Sequence, residues 1–173
     1  MKSYKLEEVF RLAINMEEQG RNFYQAASQY ARQKSIKNLF SFLAKEEVRH
    51  AKVFLKLYKI YARKKSFFPV DARLEEFLDT LLRGLLVPDI AEVRDALLKN
   101  NKSKLTALIR IAMDVELNTI LFYQKLKEIV RGPAVKEALT KIIREEEKHL
   151  VRLKNVRLDL DPFYAGLQYG TFF

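Results

Sequence analysis

Apolar residues recur at every third or fourth position through four long segments of the chain, with polar and charged residues between them. This spacing places the apolar side chains on one face of a helix, so it predicts amphipathic α-helices that bury that face. The four predicted helices are Tyr4–Ala31, Ser35–Arg63, Lys104–Val130 and Pro133–Arg157. The second begins at a serine and the fourth at a proline, residue types that are common at helix starts. The sequence thus predicts an all-α protein built on four helices.

A glutamate interrupts the apolar face of each predicted helix near its middle. We call the inward-facing positions of a helix its seam and read them at coiled-coil spacing. The seams of the first two helices are Leu6, Phe10, Ala13, Glu17, Gly20, Tyr24, Ala27 and then Ile36, Phe40, Leu43, Glu47, His50, Phe54, Leu57, Tyr61. The seams of the last two are Leu105, Ile109, Ala112, Glu116, Thr119, Tyr123, Leu126, Val130 and then Val135, Leu139, Ile142, Glu146, His149, Leu153, Val156.

The chain contains two histidines, and each follows a seam glutamate by three residues. The stretch "KEEVRHAK" contains Glu47 and His50, and "REEEKHLV" contains Glu146 and His149, 99 residues later. Side chains three positions apart lie on the same helix face, so a glutamate and a histidine at this spacing can reach one metal ion. The chain has two such Glu-x-x-His pairs, 99 residues apart, and they include both of its histidines. We therefore predict that the two pairs contribute to one metal site.

The same offset relates the first and third helices. "AINMEEQGRNFYQ" and "AMDVELNTILFYQ" begin 99 residues apart, which aligns Glu17 with Glu116 and Tyr24 with Tyr123. The chain therefore consists of two repeated helix pairs in one register. The two tyrosines either fill the core or donate hydrogen bonds to metal-binding carboxylates.

Four carboxylates at one level of a core need compensation, because an unpaired buried charge costs several kcal/mol. Two divalent cations would balance the four charges, and carboxylate with imidazole suits iron or manganese. One Glu from each of two helices, with Glu-x-x-His from each of the other two, is also the ligand pattern of di-iron helix bundles. The predicted metal ligands are Glu17, Glu47, His50, Glu116, Glu146 and His149. Glu18, Glu46, Glu145 and Glu147 fall off the seams and are predicted to be solvated.

Composition narrows the classes of function. The chain has 173 residues, of which 49% are hydrophobic, with only 5 Gly and 4 Pro, which favours one domain of long helices. The absence of cysteine excludes disulfides, thiolate catalysis, Fe–S clusters and cysteine-bound metal modules. We see no secretory signal, and the longest apolar stretch, "LLRGLLV", is too short to cross a bilayer, so we expect a cytoplasmic protein without a membrane partner.

The formal net charge of +10 raises the question of a polyanionic partner. The basic residues are spread along the chain, and the densest cluster is only Arg63, Lys64 and Lys65. This distribution favours solvated helix faces, so we do not expect nucleic acid as a partner.

The two Glu-x-x-His pairs and the two upstream glutamates resemble the ferritin-like superfamily, and within it the rubrerythrin-like di-iron proteins. The resemblance covers residues 4–64 and 104–157. It implies a ferritin-like four-helix bundle with two iron ions, bridged either by Glu47 and Glu146 or by Glu17 and Glu116. Rubrerythrins proper also carry a rubredoxin-type iron site with four cysteines, which this chain lacks, so the resemblance implies a separate electron donor. They also have a further glutamate where this chain has Thr119.

The resemblance also implies the arrangement of the chain. Residues 1–160 would form the bundle, with a partly helical crossover at residues 66–103 that carries the chain to the start of the third helix, parallel to the second. The aromatic tail at residues 161–173 is expected to pack on the bundle or on a neighbouring subunit, with a substrate lid as the alternative. We also expect a homo-oligomer.

The resulting functional expectation is a di-iron oxidoreductase that reacts with O₂ or H₂O₂, as a ferroxidase or a peroxide reductase. The alternatives are a di-iron hydroxylase acting on an organic or tRNA substrate, and a non-catalytic iron-binding protein. Manganese would be bound by the same ligands.

Overall fold

The computed structural model describes residues 3–63, 67–69 and 102–161, with helical residues at 75–77, 79, 91 and 94 between them. Its elements are β1 (Ser3–Lys5), α1 (Leu6–Tyr30), α2 (Lys34–Tyr61), β2 (Phe67–Pro69), α3 (Lys102–Ile129) and α4 (Pro133–Leu160). The four predicted helices are present, and the all-α class is confirmed. Most of the predicted crossover and the tail after residue 161 lie outside the described residues.

The starts of the helices differ in what satisfies their first backbone groups. The N–H of Lys5 donates to Oε2 of Glu8 at 2.9 Å, which closes the first turn of α1. The prediction that Ser35 begins α2 was wrong, because the helix begins at Lys34 and no side chain caps it. Pro133 does open α4, where its missing N–H costs nothing, after Gly132 with φ of 133°.

β1 lies before α1 and β2 lies after α2, and the sequence pattern did not predict the antiparallel pair that these two short strands form. β1 pairs with β2 in the register Ser3 to Pro69, Tyr4 to Phe68 and Lys5 to Phe67. Tyr4 and Lys5, predicted as helix, therefore belong to a strand. Their partners lie more than sixty residues away in the chain, and a three-residue pairing of that kind leaves no local periodicity.

The apolar core is divided into two clusters, one on each side of the seam glutamates. The first cluster contains the apolar seam residues from the start of α1, the end of α2, the end of α3 and the start of α4. The second cluster contains those from the other end of each helix. α1 therefore packs along α2 and runs antiparallel to it, and α3 packs along α4 in the same way. α2 and α3 run in the same direction.

Two aromatic pairs illustrate how these clusters are filled. The rings of Phe54 and Tyr123 lie 4.8 Å apart in the first cluster, and those of Tyr24 and Phe40 lie 6.0 Å apart in the second. All four side chains are fully buried, so they close both sides of the polar layer with large apolar surfaces. Among the described helices, none combines the length and apolar character needed to cross a membrane.

Candidate metal centre

A layer of six polar side chains lies between the two apolar clusters. They are the six predicted ligands, and none is more than 5% exposed: Glu17, Glu47, His50, Glu116, Glu146 and His149. Helix geometry explains why they meet, since each occupies a mid-helix seam position that faces the bundle axis. The structure thus brings together all six of the metal ligands that the sequence predicted.

Glu146 lies at the centre of this layer, between the two imidazoles. Its Oε1 is 2.8 Å from Nδ1 of His50, and its Oε2 is 2.8 Å from Nδ1 of His149. The flanking glutamates lie farther out, with Glu17 at 3.7 Å from Nδ1 of His50 and Glu116 at 3.8 Å from Nδ1 of His149. Both imidazoles therefore contact Glu146 at equal distances, and each has one flanking glutamate farther out.

The layer resolves into two overlapping groups of ligand atoms. Within each group, the atoms lie within 4.8 Å of one another. One group adds Glu17 and His50 to Glu47 and Glu146, and the other adds Glu116 and His149 to the same two glutamates. Of the two candidate bridging pairs, this arrangement favours Glu47 and Glu146, because they belong to both groups.

Three ligand atoms in this layer show that a cation fits. Oε2 of Glu17, Nδ1 of His50 and Oε1 of Glu146 are buried and have no hydrogen-bond partner. Nδ1 of His50 and Oε1 of Glu146 lie 2.8 Å apart without the geometry of a hydrogen bond. Buried polar atoms without partners cost about 1–3 kcal/mol each. A metal ion bound between them would satisfy all three, as the ligand chemistry requires.

The packed carboxylates shift one another's protonation. Burial and the charge of Glu146 raise the pKa of Glu116 to about 8, and burial and Glu17 raise the pKa of Glu47 well above its usual range. Glu146 differs, because the hydrogen bond with His149 and the charges of both histidines outweigh its burial and hold its pKa below its usual range. A layer without cations therefore favours the protonated forms of Glu116 and Glu47.

The histidines shift in the opposite direction to that expected from burial alone. Burial disfavours an imidazolium, but the carboxylates of Glu146 and Glu17 raise the pKa of His50 to about 12. Glu116 and Glu146 likewise raise the pKa of His149 to about 9. Protons thus occupy the positions where cations would neutralise the layer, and metal binding must displace them.

Both tyrosines of the repeat donate hydrogen bonds to carboxylates of this layer. The hydroxyl of Tyr24 on α1 donates to Oε1 of Glu116 on α3, and the hydroxyl of Tyr123 on α3 donates to Oε1 of Glu17 on α1. Burial and these carboxylates raise the pKa of both hydroxyls, which keeps them protonated as donors. Each tyrosine thereby fixes one carboxylate oxygen and leaves the other free to bind an ion. Whether they act in this way on a loaded site stays a prediction.

Of the four glutamates predicted to be solvated, one is buried and one is only partly exposed. Glu46 is only 8% exposed and pairs with Arg49 on its own helix. Glu145 is partly buried and accepts a hydrogen bond from Nε2 of His50 at 3.0 Å. Glu18 and Glu147 are exposed, as predicted. The periodicity of a single helix could not reveal the role of Glu145, because its partner lies on α2.

Comparison with known proteins agrees with this geometry. A sequence model of the family described as rubrerythrin matches residues 8–157. A solved structure from Thermotoga maritima, described as a ferritin-like diiron-carboxylate protein, is 26% identical with a TM-score of 0.71. The alignment covers 93% of this chain and 99% of that one. None of the curated protein sequences compared with the chain matches it.

Proposed function

Because the chain belongs to the rubrerythrin family, with the ferritin-like fold predicted for it, we propose that it is a non-heme di-iron protein that reacts with O₂ or H₂O₂. The observation that carries the proposal is the pair of overlapping ligand groups, which share Glu47 and Glu146 and are each completed by one glutamate and one histidine. This donor set provides two adjacent positions for divalent ions. The solved relative described as a diiron-carboxylate protein supports iron as the metal.

The proposed ligands divide equally between the two positions. Glu17 and His50 would hold one ion, and Glu116 and His149 would hold the other, each through Nδ1 of the histidine, since those nitrogens face the layer. Glu47 and Glu146 would be the ligands that the two positions share. Four carboxylates and two neutral imidazoles balance two divalent ions, which makes the loaded layer electrically neutral. Manganese fits the same donors.

When bound, two Fe(II) ions supply one electron each, which reduces H₂O₂ with two protons to two molecules of water and leaves two Fe(III) ions. The protein's own residues hold the ions and limit the access of water. The apolar clusters above and below the layer are closed by buried aromatic rings, so few solvent molecules reach it. The chain has no cysteine to carry electrons, so we propose a separate protein as the donor that restores Fe(II).

Removal of both shared carboxylates tests the assignment. The Glu47→Ala/Glu146→Ala double variant should bind no iron, because both positions lose two donors, whereas the wild type should bind about two ions per chain. The measurement is metal content after anaerobic loading with Fe(II) and desalting. The exposed Glu147→Ala variant is the control and should retain full loading. Full loading of the double variant would contradict the assignment.

The reaction itself is tested by mixing the Fe(II)-loaded protein with H₂O₂ or with O₂ and recording the ultraviolet absorbance of Fe(III) carboxylate. Oxidation that repeats when a chemical reductant is supplied supports the proposed redox role. A mass increase of one oxygen atom in an added organic or tRNA substrate would indicate a hydroxylase instead. Bound iron that is not oxidised by either reagent would indicate an iron-binding protein without turnover.

A further inference from the structure

The two histidines of the metal layer have similar distances on their inner side and different neighbours behind them. On the inner side, Nδ1 of each histidine lies 2.8 Å from an oxygen of Glu146 and 3.7 or 3.8 Å from one flanking glutamate. On the outer side, the side chains around His50 and His149 have different chemistry. This difference behind the histidines distinguishes the two metal positions.

Two carboxylates lie behind His50. Nε2 of His50 donates to Oε2 of Glu145 at 3.0 Å, and the carboxylate of Glu46 lies within 4.8 Å of the atoms of this pair. The hydrogen bond keeps a proton on Nε2, so the proton that His50 gives up on binding a metal ion is the one on Nδ1, whose lone pair is then directed at the metal layer. His50 is therefore held in the orientation and tautomer that a metal ligand requires.

An aromatic ring and a cation lie behind His149 instead. Phe42 meets its imidazole edge-on with ring centroids 5.9 Å apart, and the guanidinium of Arg152 lies 4.6 Å from the centre of the Phe42 ring. Within the described part of the chain, no carboxylate accepts a hydrogen bond from Nε2 of His149. Glu46 is the counterpart of Glu145 at the 99-residue offset, but its carboxylate is held by Arg49.

A carboxylate that accepts the outer proton of a ligating histidine strengthens the electron donation of the inner nitrogen, and its loss weakens metal affinity roughly 10–100-fold. Glu46 is paired with Arg49, so the negative charge behind His50 comes from Glu145, and it adds to the attraction for a cation. Behind His149, the aromatic ring of Phe42 supplies no such charge. Both effects favour the same position.

We propose that Glu145 is a positioning residue for His50 and makes the Glu17–His50 position the tighter of the two, so that it fills first. The inference rests on the proposed function, because it assigns an order to the two ions of that site. Glu145 does not touch the ions. It acts through the orientation, tautomer and donor strength of His50.

The order of filling can be observed directly because the chain has only two histidines. Zn²⁺ is the probe, since it does not change oxidation state during the titration. In protein labelled with ¹⁵N-histidine, the first equivalent of Zn²⁺ should shift the Nδ1 resonance of His50, and the second should shift that of His149. A His149→Gln sample assigns the two signals. If His149 responds first, or if both signals shift together, the inference is wrong.

The role of Glu145 is tested by Glu145→Gln, which keeps the size of the side chain and removes its charge. Chelator competition should show the first Zn²⁺ dissociation constant raised roughly tenfold or more, with the second changed much less. Glu147→Gln is the matched control, since it removes one charge from an exposed position two residues along α4. Thermal unfolding of the metal-free proteins verifies that both variants fold.

The outcomes separate this inference from the proposed function. Two Zn²⁺ ions bound with equal affinity, or a Glu145→Gln variant that behaves like Glu147→Gln, overturns the inference and leaves a two-metal site standing. A wild type that binds no divalent ion overturns both. If Glu145→Gln does not fold, the order of the histidine shifts in the wild type decides.

Discussion

Gly20 is smaller than its counterpart in the second half of the chain because Glu47 occupies the space that a side chain at position 20 would need. The 99-residue offset aligns it with Thr119, and both positions are buried one turn beyond a metal-layer glutamate. A Cβ added to Gly20 would lie 3.2 Å from Oε2 and 3.3 Å from Cδ of Glu47. The glycine thus gives one of the two shared carboxylates room to lie against the backbone of α1.

Gly20→Ala should have opposite effects on folding and on metal binding. Alanine favours a helix interior over glycine by about 1 kcal/mol, which should stabilise the metal-free protein if Glu47 can turn away. Turning Glu47 away displaces a ligand of both metal positions, so metal affinity should fall. Urea unfolding of the apo protein and chelator competition with Zn²⁺ measure the two effects. Unchanged affinity would show that Glu47 does not need this space, and Thr119→Ala, which adds no atoms, serves as the control.

The sequence could identify those site residues whose spacing within one helix distinguishes them from the apolar residues around them. Glu47 and His50 stand out because polar groups three residues apart interrupt an apolar seam, and the repeat supplies the rest. Glu145 could not be identified, because its contact with His50 depends on how α4 packs against α2. The runs of two and three glutamates in "KEEVRH" and "REEEKH" were the available signal, but nothing in the spacing distinguished Glu145 from the exposed Glu147.

At the scale of elements, the tyrosine hydrogen bonds link the two helix pairs. Tyr24 and Tyr123 cross between α1 and α3, each reaching the glutamate that lies seven residues before the other. α1 packs mainly along α2 and α3 along α4, and the side chains of the apolar clusters and of the metal layer join the two pairs. These two bonds therefore contribute to the docking of one half on the other.

Replacing either tyrosine with phenylalanine should destabilise the protein, because a buried carboxylate oxygen loses its donor. The expected cost is about 1–3 kcal/mol for Tyr24→Phe or Tyr123→Phe, measured as the change in the free energy of unfolding of the metal-free protein in urea. Tyr58→Phe is the control. It removes a hydroxyl that bonds Arg11 at the surface, and it should change stability by less than about 0.5 kcal/mol. An equal effect in the control and the buried positions would be evidence against this account.

The sequence predicted the helices well because their seams repeat over many turns, and it was least accurate at their ends. Leu105 and Val156, predicted as seam residues, are only partly buried, since each lies near an end of its helix where fewer neighbours cover it. The pairing of β1 with β2 went unpredicted because it joins residues that are distant in the chain. Local periodicity carries little information about either feature.

For the whole molecule, the metal layer divides a core that would otherwise be continuous. The apolar clusters on each side supply the burial that folds the bundle, while the layer between them holds four carboxylates in a medium of low dielectric constant. Cations or protons must neutralise that layer for the two clusters to remain together. Stability, metal content and pH are therefore linked in this protein.

The metal-free protein should lose stability as pH rises from about 5.5 to 8, whereas the loaded protein should not. The folded-state pKa of Glu116 is raised from 4.5 to about 8, and that of Glu47 is also raised, so the folded state binds protons that the unfolded chain has released. A group of this kind contributes stability that is fully present below its pKa in the unfolded state. The contribution is lost as pH rises through its pKa in the folded state. His149, raised from 6.5 to about 9, and His50, raised to about 12, act with the same sign above pH 6.5.

Glu146 has the opposite sign, since its pKa is lowered, but its contribution is already complete above pH 4.5 and does not change within this range. Both histidines of the chain lie in the layer, so few other side chains titrate between pH 5.5 and 8 to obscure the effect. In the loaded protein, metal ions replace these protons, and rising pH strengthens their binding.

Melting temperatures of apo and Zn²⁺-loaded protein should therefore diverge between pH 5.5 and 8 at fixed ionic strength. In Glu116→Gln apo protein, the slope should be shallower, because one of the titrating groups is gone. An apo protein as stable as the loaded form at pH 7, or one that gains stability with rising pH, would show that the layer does not need neutralisation.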